Sequence, residues 1–208
     1  LIIDTAGMRK KRAVDKDLER YSVMRSLLAV RRADVVLMVC DANEGFTEQD
    51  VKIAGFIHEE GKPSIIVMNK WDLVDKDTHT IYEFEKGLKE DLKYMNYFKS
   101  VYVSAKSGKR LDNLLPLCKE VVDNSRRRIS TGLLNEVVGE AIRISEPPSY
   151  LGKKLKIYFV TQVGVAPPSF VVKVNEPSIM HFSYKRYLEN ALRKSFDFSG
   201  TPIRIMVR

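Results

Sequence analysis

The chain has 208 residues, of which 44% are hydrophobic and 30% are charged, and only two are cysteines. This length allows one domain of ordinary size with a smaller companion, and the composition excludes a largely disordered, collagen-like or disulfide-dense protein. The longest apolar run, Val35 to Cys40, is too short to cross a bilayer, so we predict a cytoplasmic protein with no membrane partner.

The net charge of +8 is confined to the second part of the chain. Residues 1–125 contain 21 basic and 21 acidic side chains, whereas residues 126–208 contain 14 basic and 6 acidic ones. A neutral first part and a basic second part suggest different partners. Nucleic acid is the first candidate for the second part, and a merely solvated basic surface is the alternative.

The first part alternates between short apolar runs, rich in Val and Ile, and longer segments with helical periodicity. This alternation predicts a doubly wound α/β domain whose strands are buried on both faces. In such a domain, ligands bind beyond the carboxyl ends of the strands. The predicted strands are 1–3, 35–40, 64–68 and 100–103, and the predicted helices are 16–30, 47–60, 81–95 and 111–124.

The order of elements changes after Arg126-Arg127-Arg128. The patterns predict a helix, two strands, a helix and a last strand, which is an α+β unit. We therefore predict two domains, at residues 1–128 and 129–208. The predicted elements of the second are the helices 131–144 and 183–196 and the strands 155–163, 170–175 and 203–207.

Two motifs follow predicted strands of the first domain and carry chemistry suited to phosphate and base. In Asp4-Thr5-Ala6-Gly7, the carboxylate can hold magnesium through water and the glycine amide can approach a γ-phosphate. In Asn69-Lys70-Trp71-Asp72, the Asp72 carboxylate can accept two hydrogen bonds from guanine. The Lys70 stem can lie along the ring, and Asn69 can bridge the base to neighbouring loops.

A third motif, Ser104-Ala105-Lys106, follows the next predicted strand. One of its backbone amides can donate to the guanine carbonyl oxygen while the serine hydroxyl braces the loop. Three motifs in the order phosphate, base, base predict a Ras-like GTP-binding domain that prefers GTP to ATP, because adenine would leave Asp72 unpaired. The predicted GTP-binding residues are Asp4, Thr5, Ala6, Gly7, Asn69, Lys70, Asp72, Ser104, Ala105 and Lys106, with magnesium on Asp4.

The phosphate loop Gly-x-x-x-x-Gly-Lys-Ser/Thr does not occur in the 208 residues. We therefore expect the phosphate loop and the first switch to belong to sequence upstream of Leu1, and this chain alone to be inactive. Met8 stands where Ras-like enzymes commonly place the glutamine that orients the attacking water, and a thioether cannot do so. The catalytic group is accordingly unassigned: another residue, a partner or a bound cation must serve.

A family resemblance is carried by several stretches. Those of the first domain resemble the second GTPase domain of the bacterial Der (EngA) family, and those of the second domain resemble its carboxy-terminal KH-like domain. The stretches are Asp4-Thr5-Ala6-Gly7-Met8-Arg9-Lys10-Lys11, Glu19-Arg20-Tyr21-Ser22, Ala33-Asp34-Val35-Val36, Asp41-Ala42, 69–72, 104–108, 156–162 and 167–171.

The resemblance covers essentially the whole chain. It implies a GTPase that acts in maturation of the large ribosomal subunit, with that subunit and its ribosomal RNA as partners and a second GTPase domain upstream. It also implies GTP or GDP with magnesium, and potassium as a candidate activator, because Met8 matches the class with a hydrophobic residue in place of the glutamine. A regulatory module with negligible hydrolysis and an Era-like RNA-binding GTPase are the alternatives.

The second domain lacks the Gly-x-x-Gly loop with which KH domains clamp RNA; the corresponding region reads Asn175-Glu176-Pro177-Ser178. We therefore predict weak, sequence-tolerant and salt-dependent RNA binding through basic side chains. The alternative is that this surface packs on a GTPase domain. The candidate RNA contacts are Lys153, Lys154, Lys156, Lys185, Arg186, Arg193 and Lys194.

Overall fold

A computed structural model describes residues 1–5 and 16–208, and in the first helix it describes side chains from Met24 onward. The chain forms two compact units, Leu1–Cys118 and Lys119–Arg208. The second unit begins inside a helix, so the domain boundary at residue 128 stays a prediction. Within the described residues, no helix is long and apolar enough to span a membrane.

The first unit is built on a parallel three-stranded sheet with strand order β1-β2-β3. The central strand is buried from Ser64 to Met68, which is why its sequence is almost wholly apolar. The alternation of strands and helices confirms the predicted α/β class. The elements are α1 (Lys16–Arg32), β1 (Val36–Asp41), α2 (Glu48–Glu59), β2 (Ser64–Asn69), α3 (Thr80–Asp91), β3 (Lys99–Tyr102) and α4 (Leu114–Arg126).

The predicted strand Leu1–Ile3 is wrong for the described structure. Residues 1–5 belong to no regular element, and all five are exposed. The apolar character of Leu-Ile-Ile fits a buried strand, but none of the described strands pairs with residues 1–3. Without ladder hydrogen bonds and burial, nothing offsets the conformational entropy lost on fixing this backbone.

The second unit packs two helices against one face of a three-stranded sheet. The sheet has the order β6-β7-β8, with β6 and β7 antiparallel and β7 and β8 parallel. Its core joins Leu134, Val138, Phe170, Val172 and Leu188. The elements are α5 (Thr131–Ile144), β4 (Ser149–Tyr150), β5 (Lys153–Lys154), β6 (Ile157–Gly164), β7 (Ser169–Val174), α6 (Phe182–Ser195) and β8 (Arg204–Val207).

Gly200 precedes β8 in a turn that only glycine fits. Its φ is +73°, and an added Cβ would overlap both methyl groups of Val121 on α4. We expect Gly200→Ala to destabilise the second unit by about 2 kcal/mol, from backbone strain and overpacking together. Hydrogen exchange of the α6 amides measures the loss.

Gly152→Ala is the matched control for this substitution. Gly152 has a similar φ of +77°, but an added Cβ would meet no described heavy atom within 4 Å beyond its own chain neighbours. The substitution should therefore cost only about 1 kcal/mol, from backbone strain. Equal loss of protection in the two variants would show that Val121 does not pack against Gly200.

Candidate guanine-nucleotide site

The strands of the first unit end side by side, which brings the two predicted base-binding motifs together. Asp41 pairs with Asn69 between β1 and β2, and Met68 pairs with Tyr102 between β2 and β3. The ladder continues past the strands: the Val103 amide donates to the Met68 carbonyl at 2.9 Å. The motifs that follow β2 and β3 therefore start at the same edge of the sheet.

Asn69 links the two motifs directly. Its Oδ1 accepts a hydrogen bond of 3.0 Å from the backbone amide of Ala105. Asn69 thus contacts a neighbouring loop, and its predicted contact with the base stays a prediction. The bond fixes the loop that carries the Ala105 and Lys106 amides relative to the end of β2.

Asp72 is an exposed carboxylate beside this bridge. The hydroxyl of buried Ser104 donates a hydrogen bond to it, which lowers the pKa of Asp72, and the charges of Lys106 and Lys76 lower it further. Asp72 is therefore ionised at neutral pH and acts only as an acceptor. That is the state required to receive two N–H donors from a guanine edge.

The loop predicted to bind the base is anchored by the aromatic residue between Lys70 and Asp72. Trp71 is buried, and its ring lies 4.6 Å from that of Tyr102 and 5.0 Å from that of Phe84, measured between centroids. Its amide donates to the Val103 carbonyl at 3.0 Å. Burial raises the pKa of Tyr102 to about 12, so this aromatic cluster stays neutral. Asp72 is consequently held at the rim of a rigid core.

A small open cavity of about 140 Å³ adjoins these residues in the first unit. Asp72 and Ser104 lie on its wall together with two lysines, Lys76 and Lys109. An acceptor and two cations therefore line one cavity beside the end of β3.

Lys70 has a partner to which the sequence analysis assigned no role. Its backbone is left-handed, with φ at 60°, and its Nζ lies 2.5 Å from Oδ2 of Asp41. This contact lowers the pKa of Asp41, whose other oxygen accepts from the Asn43 amide at 3.0 Å. The sequence signal for this ion pair was Asp41, the acidic residue that ends β1. Lys70 follows β2, the strand beside β1. The ion pair positions the lysine stem at the strand edge.

We expect Asp41→Asn to weaken GDP binding by an intact GTPase domain about threefold, the effect typical of a half-exposed ion pair. Lys70 would lose the carboxylate that orients its side chain. Its side chain would then lose more conformational entropy when the nucleotide binds. Calorimetry measures the change, and Asp91→Asn on α3 is a control that should leave affinity unaltered. An affinity that rises or stays constant in Asp41→Asn would contradict this positioning role.

The phosphate-side motif is only partly described. Asp4 and Thr5 are exposed, while Ala6, Gly7, Met8 and the basic stretch 9–12 lie outside the described residues. Among the described residues, no group of three or more Asp, Glu, His or Cys could hold a metal ion. Magnesium is commonly bound by one or two carboxylates together with phosphate oxygens and water, so the predicted role of Asp4 stays a prediction.

The basic candidates of the second unit lie on two separate elements. Lys153 and Lys154 are exposed on β5, and Lys154 pairs with Glu146 at 2.6 Å, while Lys156 is exposed just before β6. Lys185, Arg186 and Lys194 lie on α6.

Arg193, also on α6, differs from the other candidates. Its guanidinium pairs with Glu189 at 2.9 Å and donates to the carbonyls of Phe198 and Thr201, and its side chain is only 12% exposed. These bonds tie the end of α6 to the turn before β8. We therefore leave Arg193 out of the surface proposed to contact RNA.

Comparison with known proteins follows the same division of the chain. The family model for the elongation factor Tu GTP-binding domain matches residues 21–124, and that for the KH-domain-like carboxy-terminal part of EngA bacterial GTPases matches residues 128–208. Together with the fold and the strand-end motifs, they define a Ras-like GTPase domain followed by a KH-like domain.

The GTPase Der of Ruminiclostridium cellulolyticum is 53% identical over 206 residues, covering 99% of this chain and 47% of the relative. The GTPase Der of Acetivibrio thermocellus is 51% identical over 208 residues, again 47% of that protein. The chain belongs to the GTPase Der family, and it spans about half the length of the curated relatives it matches.

Two solved structures show looser likenesses. Era in complex with MgGDPNP and nucleotides 1506–1542 of 16S ribosomal RNA matches 98% of this chain and 74% of its own, at 22% identity and a TM-score of 0.47. A probable GTP-binding protein engB matches 57% of this chain and 76% of its own, at 21% identity and a TM-score of 0.47.

Proposed function

We propose that this chain is part of a GTP-binding and GTP-hydrolysing switch protein that acts in maturation of the large ribosomal subunit in the cytoplasm. The observation that carries the nucleotide assignment is the Asn69–Ala105 hydrogen bond beside ionised Asp72. The two carboxylate oxygens of Asp72 and the backbone amides of Ala105 and Lys106 therefore lie at the same edge of the sheet. Guanine offers the matching pattern of two donors and a carbonyl acceptor, whereas adenine does not.

The phosphates, in this proposal, are held by sequence that the chain shown does not contain. No phosphate-loop pattern occurs in it, and the relatives are about twice as long. Leu37 and Val39 on one face of β1 are exposed, Val39 by 63%, although the neighbouring strand β2 is buried from Ser64 to Met68. In this proposal, a further segment of the same domain covers that face in the whole protein. Leu37 and Val39 are exposed here because the chain shown does not contain that segment.

Magnesium bound with the nucleotide and potassium as an activator belong to the same proposal. They rest on the family and on Met8, since the described residues form no metal site. The competing function is a regulatory module that binds guanine nucleotide with negligible turnover, and it too rests on Met8, which cannot orient water.

Single-turnover hydrolysis of GTP by the full-length protein separates the two functions. We expect turnover in potassium chloride to exceed that in sodium chloride of equal ionic strength by about tenfold, within the range that one charge-stabilising interaction supplies. ATP should not be hydrolysed. Bound GTP that persists unhydrolysed in both salts would favour the regulatory module.

For partners, we propose the large ribosomal subunit and its RNA, reached through the basic second unit. Support comes from the charge excess confined to residues 126–208 and from the exposure of Lys153 and Lys154. The alternative is a docking face for a GTPase domain. Charge reversal of both lysines should abolish binding of ribosomal particles if they contact RNA, and should change the hydrolysis rate if they contact a GTPase domain.

A further inference from the structure

The sheet of the second unit has one covered face and one open face. Val160, Phe170, Val172 and Ile205 point into the core, where α5 and α6 cover them. Successive side chains of a strand point to opposite faces, so the residues between these point the other way. The described helices of this unit supply no second layer there.

The open sheet face includes seven residues that the strand register places together. Phe159 pairs with Lys173 and Thr161 with Val171 between β6 and β7, while Val171 pairs with Met206 and Ser169 with Arg204 between β7 and β8. Phe159 is 47% exposed and Met206 37% exposed, and Lys173 and Arg204 are exposed. These residues of the open sheet face are Phe159, Thr161, Ser169, Val171, Lys173, Arg204 and Met206.

This face is mainly apolar at its centre, where Val171 and Met206 lie, and basic at its two ends. β6, β7 and β8 contain no Asp or Glu, although they contain Lys173 and Arg204. Phe159 shares one end with Lys173, so a half-exposed ring and a lysine stand on opposite strands with their Cβ atoms about 5 Å apart. A nucleotide presents the complementary pair, a base with a flat face and a phosphate.

We propose that the open sheet face binds a single-stranded segment of RNA, with one base stacked on Phe159, one phosphate beside Lys173 and a phosphate further along the RNA beside Arg204. This rests on the proposed role in RNA docking and gives it a second surface, distinct from Lys153 and Lys154. A duplex keeps its bases stacked inside, so it cannot offer one to the ring. Three strands span about 10 Å, which is room for about two stacked bases.

Other occupants fit this face less well. A second copy of the chain would bring two sets of Lys173 and Arg204 together, and like charges facing each other oppose association. An acidic protein segment would offer carboxylates to Lys173 and Arg204, but it would leave the half-exposed ring of Phe159 unused. These occupants are outcomes that the experiment below distinguishes.

The test uses full-length protein and a fluorescent oligouridylate of about eight nucleotides, a length typical for single-strand sites. Phe159→Ala should weaken binding about tenfold, since one base loses its stacking partner. Phe159→Leu keeps the apolar volume, and should lose a similar factor even if the alanine variant folds poorly. Phe182→Ala removes a 71% exposed aromatic from α6, off the sheet face, and should bind like the unaltered protein.

Two further readouts locate the phosphates. Lys173→Gln should reduce the slope of log affinity against log salt by about 0.7, the contribution of one single-strand phosphate. A duplex of the same length should bind the Phe159 variants as it binds the unaltered protein. Both results would support the arrangement of base and phosphate on this face.

The outcomes separate this inference from the broader proposal. If both Phe159 variants bind the oligouridylate normally while Lys153→Glu with Lys154→Glu does not, the sheet face is not the RNA site and the docking proposal stands. If particles are bound but no oligouridylate is, the occupant is a protein and the inference is overturned. If neither is bound, the RNA proposal itself falls.

Discussion

Asp72→Asn in an intact GTPase domain is expected to weaken GTP binding by about a hundredfold and to improve binding of xanthosine triphosphate. The carboxylate of Asp72 offers acceptors only, and guanine offers it the N1 proton and the 2-amino group. Xanthine carries a carbonyl in place of that amino group, which the amide nitrogen of an asparagine can satisfy. Competition binding with the two triphosphates measures the switch.

Asp75→Asn is the matched control, since it makes the same chemical change on an exposed carboxylate of the same loop. It should leave the preference for GTP intact. An unaltered preference in Asp72→Asn would exclude Asp72 from base recognition, whatever the affinity. A loss of all nucleotide binding without a gain for the xanthine analogue would point instead to collapse of the loop braced by Ser104.

The second large effect concerns the 208-residue chain by itself. We expect it to bind GDP with a dissociation constant of about a millimolar, because a few base contacts give only fragment-like affinity. Most of the binding energy in this class comes from the phosphate loop and its lysine, neither of which occurs in this sequence. Calorimetry on the chain and on the full-length protein measures the difference.

A micromolar dissociation constant for the isolated chain would contradict this account. It would mean that the described residues, or those between Ala6 and Asp15, make a phosphate site of their own. Guanosine is the control ligand: it should bind the chain nearly as well as GDP does if the base supplies most of the contact.

Much of the fold could be predicted because its signals are local and strong. The helix Thr131–Ile144 was predicted with the bounds that the structure has, since Ser130 caps it and its apolar residues recur at helical spacing. The strand Ser64–Asn69 was predicted as 64–68, one residue short, because a buried parallel strand must be apolar throughout and Asn69 is polar. The hairpin of β4 and β5 was not predicted, because two-residue strands are too short to show a period.

The part of the candidate site that belongs to the strand-end motifs could be predicted from the sequence. Asn69 ends β2, and Asp72 and Ser104 follow β2 and β3; parallel strands end at one edge of a sheet, so the proximity of these residues follows from the pattern. The Asp41–Lys70 ion pair was not foreseen, because it joins side chains 29 positions apart and depends on the left-handed backbone of Lys70. The hydrogen bonds of the Arg193 guanidinium within the second unit could not be predicted either. Helical periodicity does not show which basic side chain of α6 turns inward.

An amide-resolved titration of the isolated chain with GDP and, separately, with ADP tests the central claim most directly. Weak binding suits this measurement, which reports contacts residue by residue. The account predicts that GDP shifts the amides of Trp71, Asp72, Ala105 and Lys106, and that ADP at the same concentration leaves them unmoved. Equal shifts with ADP, or GDP shifts confined to other residues, would contradict the assignment of this strand edge to guanine.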